Sequence, residues 1–166
     1  MTSLFHRRGD QSAATYMVEI FVISAAALLL EISYTRIISF KLYYYYTYLV
    51  IGLALLGLGS GAVIVAVSRR LDSLSTRSLL ARCTLMSTIG VVAGYVAVAV
   101  TPLDTLQIWT GSRSLQLAAI GQLLVIALGL YVSFLPIGMC ISALFSRRPN
   151  DINRLYFSDL VGAALA

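Results

Sequence analysis

The chain has 166 residues, of which 59% are hydrophobic and 11% are charged, and its mean hydropathy is +0.88. Soluble domains carry about a quarter charged residues, so these values exclude a water-soluble globular core. The formal net charge of +5 does not indicate nucleic acid as a partner. The basic residues stand in clusters at the ends of apolar segments, which is the pattern of a membrane protein.

A helix of about 20 apolar residues crosses a bilayer, and the sequence contains several segments of that kind. The chain is therefore predicted to be an all-α, polytopic transmembrane helical bundle with about four full spans and the start of a fifth. A polar tail (residues 1–15) precedes this bundle (residues 16–166), which we expect to be truncated at its C-terminus. In chain order, the five apolar segments are residues 16–40, 43–68, 83–100, 115–145 and 155–166.

The basic clusters alternate between the two ends of the predicted spans. The positive-inside rule then predicts a cytoplasmic N-terminus in a plasma membrane, the inner membrane of a bacterium, with membrane lipid as a partner. The clusters are Arg7 and Arg8; Arg69, Arg70, Arg77 and Arg82; and Arg147, Arg148 and Arg154.

A glycine-rich run in the second segment places Gly57 and Gly61 four residues apart. A dinucleotide-binding loop would follow a strand, whereas this run lies inside a predicted span. Glycines at this spacing let another helix backbone approach closely, so we predict helix packing at this face, within the bundle or in a homo-oligomer. The tyrosines of residues 43–46, with Tyr48, are interpreted as an anchor at the outer interface; the alternative is a ring-lined site for an amine or a quinone.

Charged side chains inside the spans are costly in lipid and usually have partners. Glu31 and Arg36 lie in the first segment, about 140° apart around an ideal helix, so partners on other helices are expected. Asp159 lies early in the fifth segment. We predict a polar network of Glu31, Arg36 and Asp159 between the first and fifth helices, with a structural role or, as the alternative, a role in handling a substrate or a proton. Glu19 is interpreted as interfacial.

The sequence does not predict a catalytic site or a metal site. Cys83 and Cys140 fall near the cytoplasmic ends of their predicted helices, where thiols stay reduced. The one histidine, His6, lies in the polar tail, so no His/Cys set for zinc, haem or iron–sulfur ligation is expected. No catalytic residue, cofactor or metal ligand is assigned.

Three motifs in order give the chain a resemblance to a known family. They are LLEISYTR at residues 29–36, ALLGLGSG at residues 54–61 and RLYFSDLVGAA at residues 154–164. Together they resemble the membrane-embedded spermidine synthase-like family, from about Leu28 to the end of the chain. The resemblance implies that transmembrane helices precede a cytoplasmic Rossmann-like domain, which transfers an aminopropyl group from decarboxylated S-adenosylmethionine to putrescine. The pocket of that domain has no counterpart in these residues.

The predicted function is therefore that of an integral membrane domain, for anchoring and assembly, of a spermidine synthase-like protein. Its partners would be a C-terminal catalytic domain or further helices. Two alternatives stay open from the sequence. One is a transporter or sensor of a small cation or polyamine, and the other is a small structural membrane subunit of a larger complex.

Overall fold

The computed structural model shows an all-helical chain. Its α-helices are α1 (Thr2–Leu42), α2 (Thr47–Val67), α3 (Thr76–Val100), α4 (Arg113–Ser146) and α5 (Ile152–Ala164). Short 3₁₀ turns at Tyr44–Tyr46 and Pro149–Asp151 precede α2 and α5. The structure describes residues 2–42, 44–68, 75–102, 109, 111–147 and 149–166, and for residues 2–13, 44 and 150 it describes the backbone only.

Four of the helices are long and apolar enough to cross a membrane: α1 from Ala14 onward, α2, α3 and α4. Helix α5 has 13 residues and follows the fourth of these helices. The predicted all-α bundle, with about four full spans and the start of a fifth, is confirmed. This result follows from the composition, because only a helix satisfies all its backbone groups within one apolar segment.

The starts of two helices differ most from those predicted. Helix α1 begins at Thr2, inside the predicted polar tail; residues 2–15 contain no proline to stop a helix there. Helix α3 begins at Thr76, seven residues before the predicted start at Cys83. The side chain of Ser75 accepts a hydrogen bond from the backbone N–H of Ser78 and so caps the helix at this point. Residues 69–74, the first part of the basic stretch between the second and third apolar segments, lie outside the described residues.

Helix α4 is the centre of the bundle, because it packs along the length of both α2 and α3. Helix α1 packs mainly on α5 and makes smaller contacts with α2 and α4. The main apolar core lies between these helices, and Tyr34, Ile126, Leu130 and Phe134 are among its fully buried members. Helices α2 and α3 therefore cover two faces of α4, and α5 lies against α1.

Helices α2 and α4 approach each other at their backbones. A Cβ atom on Gly57 would lie 2.8 Å from Cβ of Phe134, and one on Gly61 would lie 2.8 Å from the backbone nitrogen of Met139. From the other side, Gly138 of α4 lies against the backbone of Leu58. The face of Gly57 and Gly61 is therefore covered by α4 of the same chain, and the close approach depends on the absence of side chains there.

Helices α3 and α4 meet in the same way, at Gly90 and Gly94. Pro136 lies inside α4 and has no N–H, so it leaves the carbonyl of Val132 without its usual helical partner. A Cβ atom on Gly90 would lie 2.8 Å from this Val132 oxygen. Gly94 lies against Gly129. Glycine on α3 therefore leaves room for the carbonyl that the proline sets free.

We expect Gly61→Ala to lower the stability of the bundle by about 1–3 kcal/mol, the usual cost of forcing a methyl group into a close-packed interface. The reversible unfolding of the purified protein in mixed micelles would measure this loss. Gly59→Ala is the matched control on the same helix, because nothing lies within 4 Å of a Cβ atom at Gly59. Equal stability of the two variants would contradict the backbone contact between α2 and α4.

Candidate functional site

Several polar side chains of the described spans lie where helices meet. The first meeting point joins α1 and α5. Ser24 Oγ, which is buried, donates a hydrogen bond to Asp159 Oδ1. Ser158 Oγ donates to the backbone oxygen of Met17 at 2.7 Å, and Gly162 lies against the backbone of Phe21. Helix α5 is thus fixed on α1 by two side-chain hydrogen bonds and a glycine contact.

The structure does not bring Glu31, Arg36 and Asp159 together. The bonding partner of Asp159 on α1 is Ser24. Glu31 and Arg36 lie 7 and 12 residues further along α1, about 10 and 18 Å away along the helix axis. Glu31 is half-buried and Arg36 is exposed. Within the described residues, no hydrogen bond or ion pair joins any two members of the predicted network.

The second meeting point joins α1, α3 and α4 around Tyr34, a residue that sequence reasoning missed. Its side chain is 1% exposed, and its hydroxyl lies 3.2 Å from both Val91 O and Ser133 Oγ. Ser133 Oγ in turn lies 3.0 Å from Gly90 O. The rings of Tyr34 and Phe134 are tilted, with centroids 6.2 Å apart. The sequence did contain a signal for close helix packing at this junction, because Gly90 and Gly94 have the same spacing as Gly57 and Gly61.

The third meeting point is at the end of α3. Lys41 Nζ donates hydrogen bonds to the backbone oxygens of Val98 and Ala99, the latter at 3.1 Å. These carbonyls belong to the last turn of α3, where no helical N–H follows. A positive charge is also favoured at the C-terminus of a helix dipole. Lys41 therefore ties the end of α1 to the end of α3.

A cleft of about 1210 Å³ opens between residues 14–23 of α1 and the first turns of α3. Glu19 of α1 and Arg77, Thr84 and Thr88 of α3 contribute to its lining, together with apolar side chains. Oε2 of Glu19 is buried and has no hydrogen-bond partner in the described part of the chain. Glu19, interpreted from the sequence as interfacial, thus lies in the wall of a cleft. A polar atom left in this way is the usual mark of a binding site or of strain.

Cys83 and Cys140 lie together in a second apolar cluster, which also contains Val65 of α2, Leu79 of α3 and Ala143 of α4. Both thiols are free and buried. Among the described residues, no group of three or more His, Cys, Asp or Glu side chains is placed to hold a metal ion. At the start of α2, Tyr48 is exposed, and Tyr46 packs against the main core.

The fold and these contacts define a helical bundle with four helices able to cross a membrane. No family model, curated protein or solved structure matches the chain.

We expect Ser24 and Asp159 to be energetically coupled. A double-mutant cycle with Ser24→Ala and Asp159→Asn, measured by unfolding in mixed micelles, should give a coupling free energy of about 0.6–1.7 kcal/mol, the range of hydrogen bonds between helices in membranes. Ser33→Ala is the matched control, because Ser33 bonds to Leu29 of its own helix. A coupling free energy between Ser33 and Asp159 as large as that between Ser24 and Asp159 would refute the docking role of Ser24.

We expect Tyr34→Phe to lower the unfolding free energy by about 1 kcal/mol, because it removes one hydroxyl from the junction of three helices and leaves the ring in place. Tyr34→Ala should cost about 3–5 kcal/mol, since it also leaves a cavity. Tyr48→Phe is the control, because Tyr48 is 76% exposed. Unchanged stability of both Tyr34 variants would show that the junction does not hold the helices together.

Proposed function

We propose that this chain is the membrane-anchoring and assembly domain of a spermidine synthase-like protein, whose transferase domain lies C-terminal to it. The observation that carries the proposal is the bundle itself. Four helices able to cross a membrane pack on one another through glycines at backbone distance. Such packing gives a rigid body in lipid, which is what an anchor needs.

The contacts of α5 are a second observation that supports the proposal. The motif that most resembles the family, residues 154–164, is the greater part of this helix. Its polar residues Ser158 and Asp159 bond to α1, and its Gly162 lies against Phe21. These residues are therefore used to hold the helix in place. A chain that continues from α5 would therefore start from a fixed position in the bundle.

The orientation proposed with this function puts the N-terminus in the cytoplasm. The support is the distribution of arginines, since Arg77 and Arg82 lie in the first turns of α3 and Arg147 directly follows α4. The start of α3 and the end of α4 lie on the same side of the bundle, because successive spans cross the membrane in opposite directions. The side chain of Arg147 donates a hydrogen bond to Thr76 Oγ1 at 3.3 Å, which joins these two basic ends.

The test is an assay of the whole gene product in isolated membranes for aminopropyl transfer from decarboxylated S-adenosylmethionine to putrescine. We expect transfer activity in the membrane fraction. Gly61→Ala should lower the amount of folded protein, and hence the total activity, without changing the activity per folded molecule, because Gly61 serves packing alone. Gly59→Ala should change neither quantity. Membranes that contain the folded product without any transfer would overturn the proposal.

A further inference from the structure

The cleft beside Glu19 results from the way α1 and α3 lie together. The two helices touch through Tyr34 and Val91 and again through Lys41 and Val98, and both pairs are 57 residues apart in sequence. A constant offset means that the two helices run in the same direction with matched rise. Glu19 precedes Arg77 by 58 residues, so the two side chains belong to almost the same level of the bundle.

At that level both helices contribute side chains to the cleft. Residues 14–23 of α1 and residues 77–88 of α3 face each other across the cleft of about 1210 Å³. Within the described residues, Glu19 and Arg77 do not form an ion pair, although both line this space. A carboxylate on α1 and a guanidinium on α3 therefore line the same cleft without pairing with each other in the described residues.

Toward the middle of the helices the lining is mostly apolar, and Thr84 and Thr88 are its polar members there. Val22 and Leu85 both line the cleft and are 55% and 63% exposed. Leu85 lies eight residues beyond Arg77, about 12 Å deeper along α3. The cleft therefore has a charged end with one group of each sign, and an apolar wall that continues from it toward the membrane interior.

We propose that this cleft binds a zwitterionic phospholipid with a primary ammonium headgroup. The ammonium would lie at Glu19, the phosphate at Arg77, and an acyl chain along Val22 and Leu85. The argument is charge complementarity. An anionic lipid without an ammonium group would leave the carboxylate of Glu19 unpaired in the membrane, which is costly. A polyamine would pair with Glu19 but would be repelled by Arg77. A zwitterion satisfies both groups, and the lipid supplies the apolar part as well.

This site does not depend on the proposed anchoring function, because it uses contacts of α1 and α3 alone. The purified whole chain should be titrated with dioleoylphosphatidylethanolamine, dioleoylphosphatidylglycerol or spermidine and the bound species counted by native mass spectrometry. We expect the phosphatidylethanolamine to bind about tenfold more tightly than the phosphatidylglycerol, the effect of one hydrogen bond to a charged group. Glu19→Gln should abolish this preference, and Arg77→Gln should weaken the binding of both lipids.

Matched controls exist on both helices. Glu31→Gln changes the other carboxylate in the same span of α1, and Arg82→Gln changes another arginine near the start of α3; neither residue lines the cleft. Both variants should bind as the unaltered chain does. Equal effects of Glu19→Gln and Glu31→Gln would overturn the proposal. Spermidine bound in a Glu19-dependent manner, without a preference for the ethanolamine lipid, would overturn it in favour of a soluble amine.

A second measurement covers the case in which the Glu19 variant does not fold. A phosphatidylethanolamine with a photoreactive group on its acyl chain should be crosslinked to the unaltered protein and the products mapped by peptide mass spectrometry. We expect the adducts to concentrate in residues 14–23 and 77–88. Adducts spread evenly over the lipid-facing sides of all four long helices would show that the cleft is not a specific lipid site.

Discussion

The structure depends on the contact of α4 with two neighbours at backbone distance. Lipid tails are as apolar as leucine side chains, so burial of apolar surface does not draw helices together in a membrane, and close packing must do so. Gly57 and Gly61 of α2 and Gly90 and Gly94 of α3 permit that packing on two faces of α4. The polar contacts of Tyr34 and Lys41 then add α1 to this three-helix unit.

The sequence predicted what hydropathy and length determine. The four helices able to cross a membrane and the helical class follow from segments that have no other means of satisfying their backbone groups in lipid. The boundary of α3 was missed because its first turns carry Arg77 and Arg82 and are polar, so that the apolar segment begins later than the helix. The Ser75 cap is a local signal that a reading of hydropathy alone passes over.

The partners of the predicted site residues could not be obtained in this way. Asp159 is conspicuous as a carboxylate in an apolar segment, and α1 does supply its partner, but that partner is Ser24, one of several serines in the spans with nothing to distinguish it in sequence. Glu31 and Arg36 were predicted as site residues because they are charged. Their charge does not show whether they lie at the same height along the helix axis as Asp159. Glu19 was assigned to the interface because it lies near the start of a span, and only the fold shows that it lines a cleft between α1 and α3.

The position of α4 in chain order has a consequence for biosynthesis. The ribosome delivers α1, α2 and α3 before the helix that lies between α2 and α3 exists, so their glycine faces first meet lipid, or each other, without their final neighbour. The carbonyl that Pro136 leaves free finds its place beside Gly90 only when α4 enters between helices already in the bilayer. The three-helix unit is therefore completed by an insertion of α4 between α2 and α3, and a pairing of α2 with α3 before that step would block it.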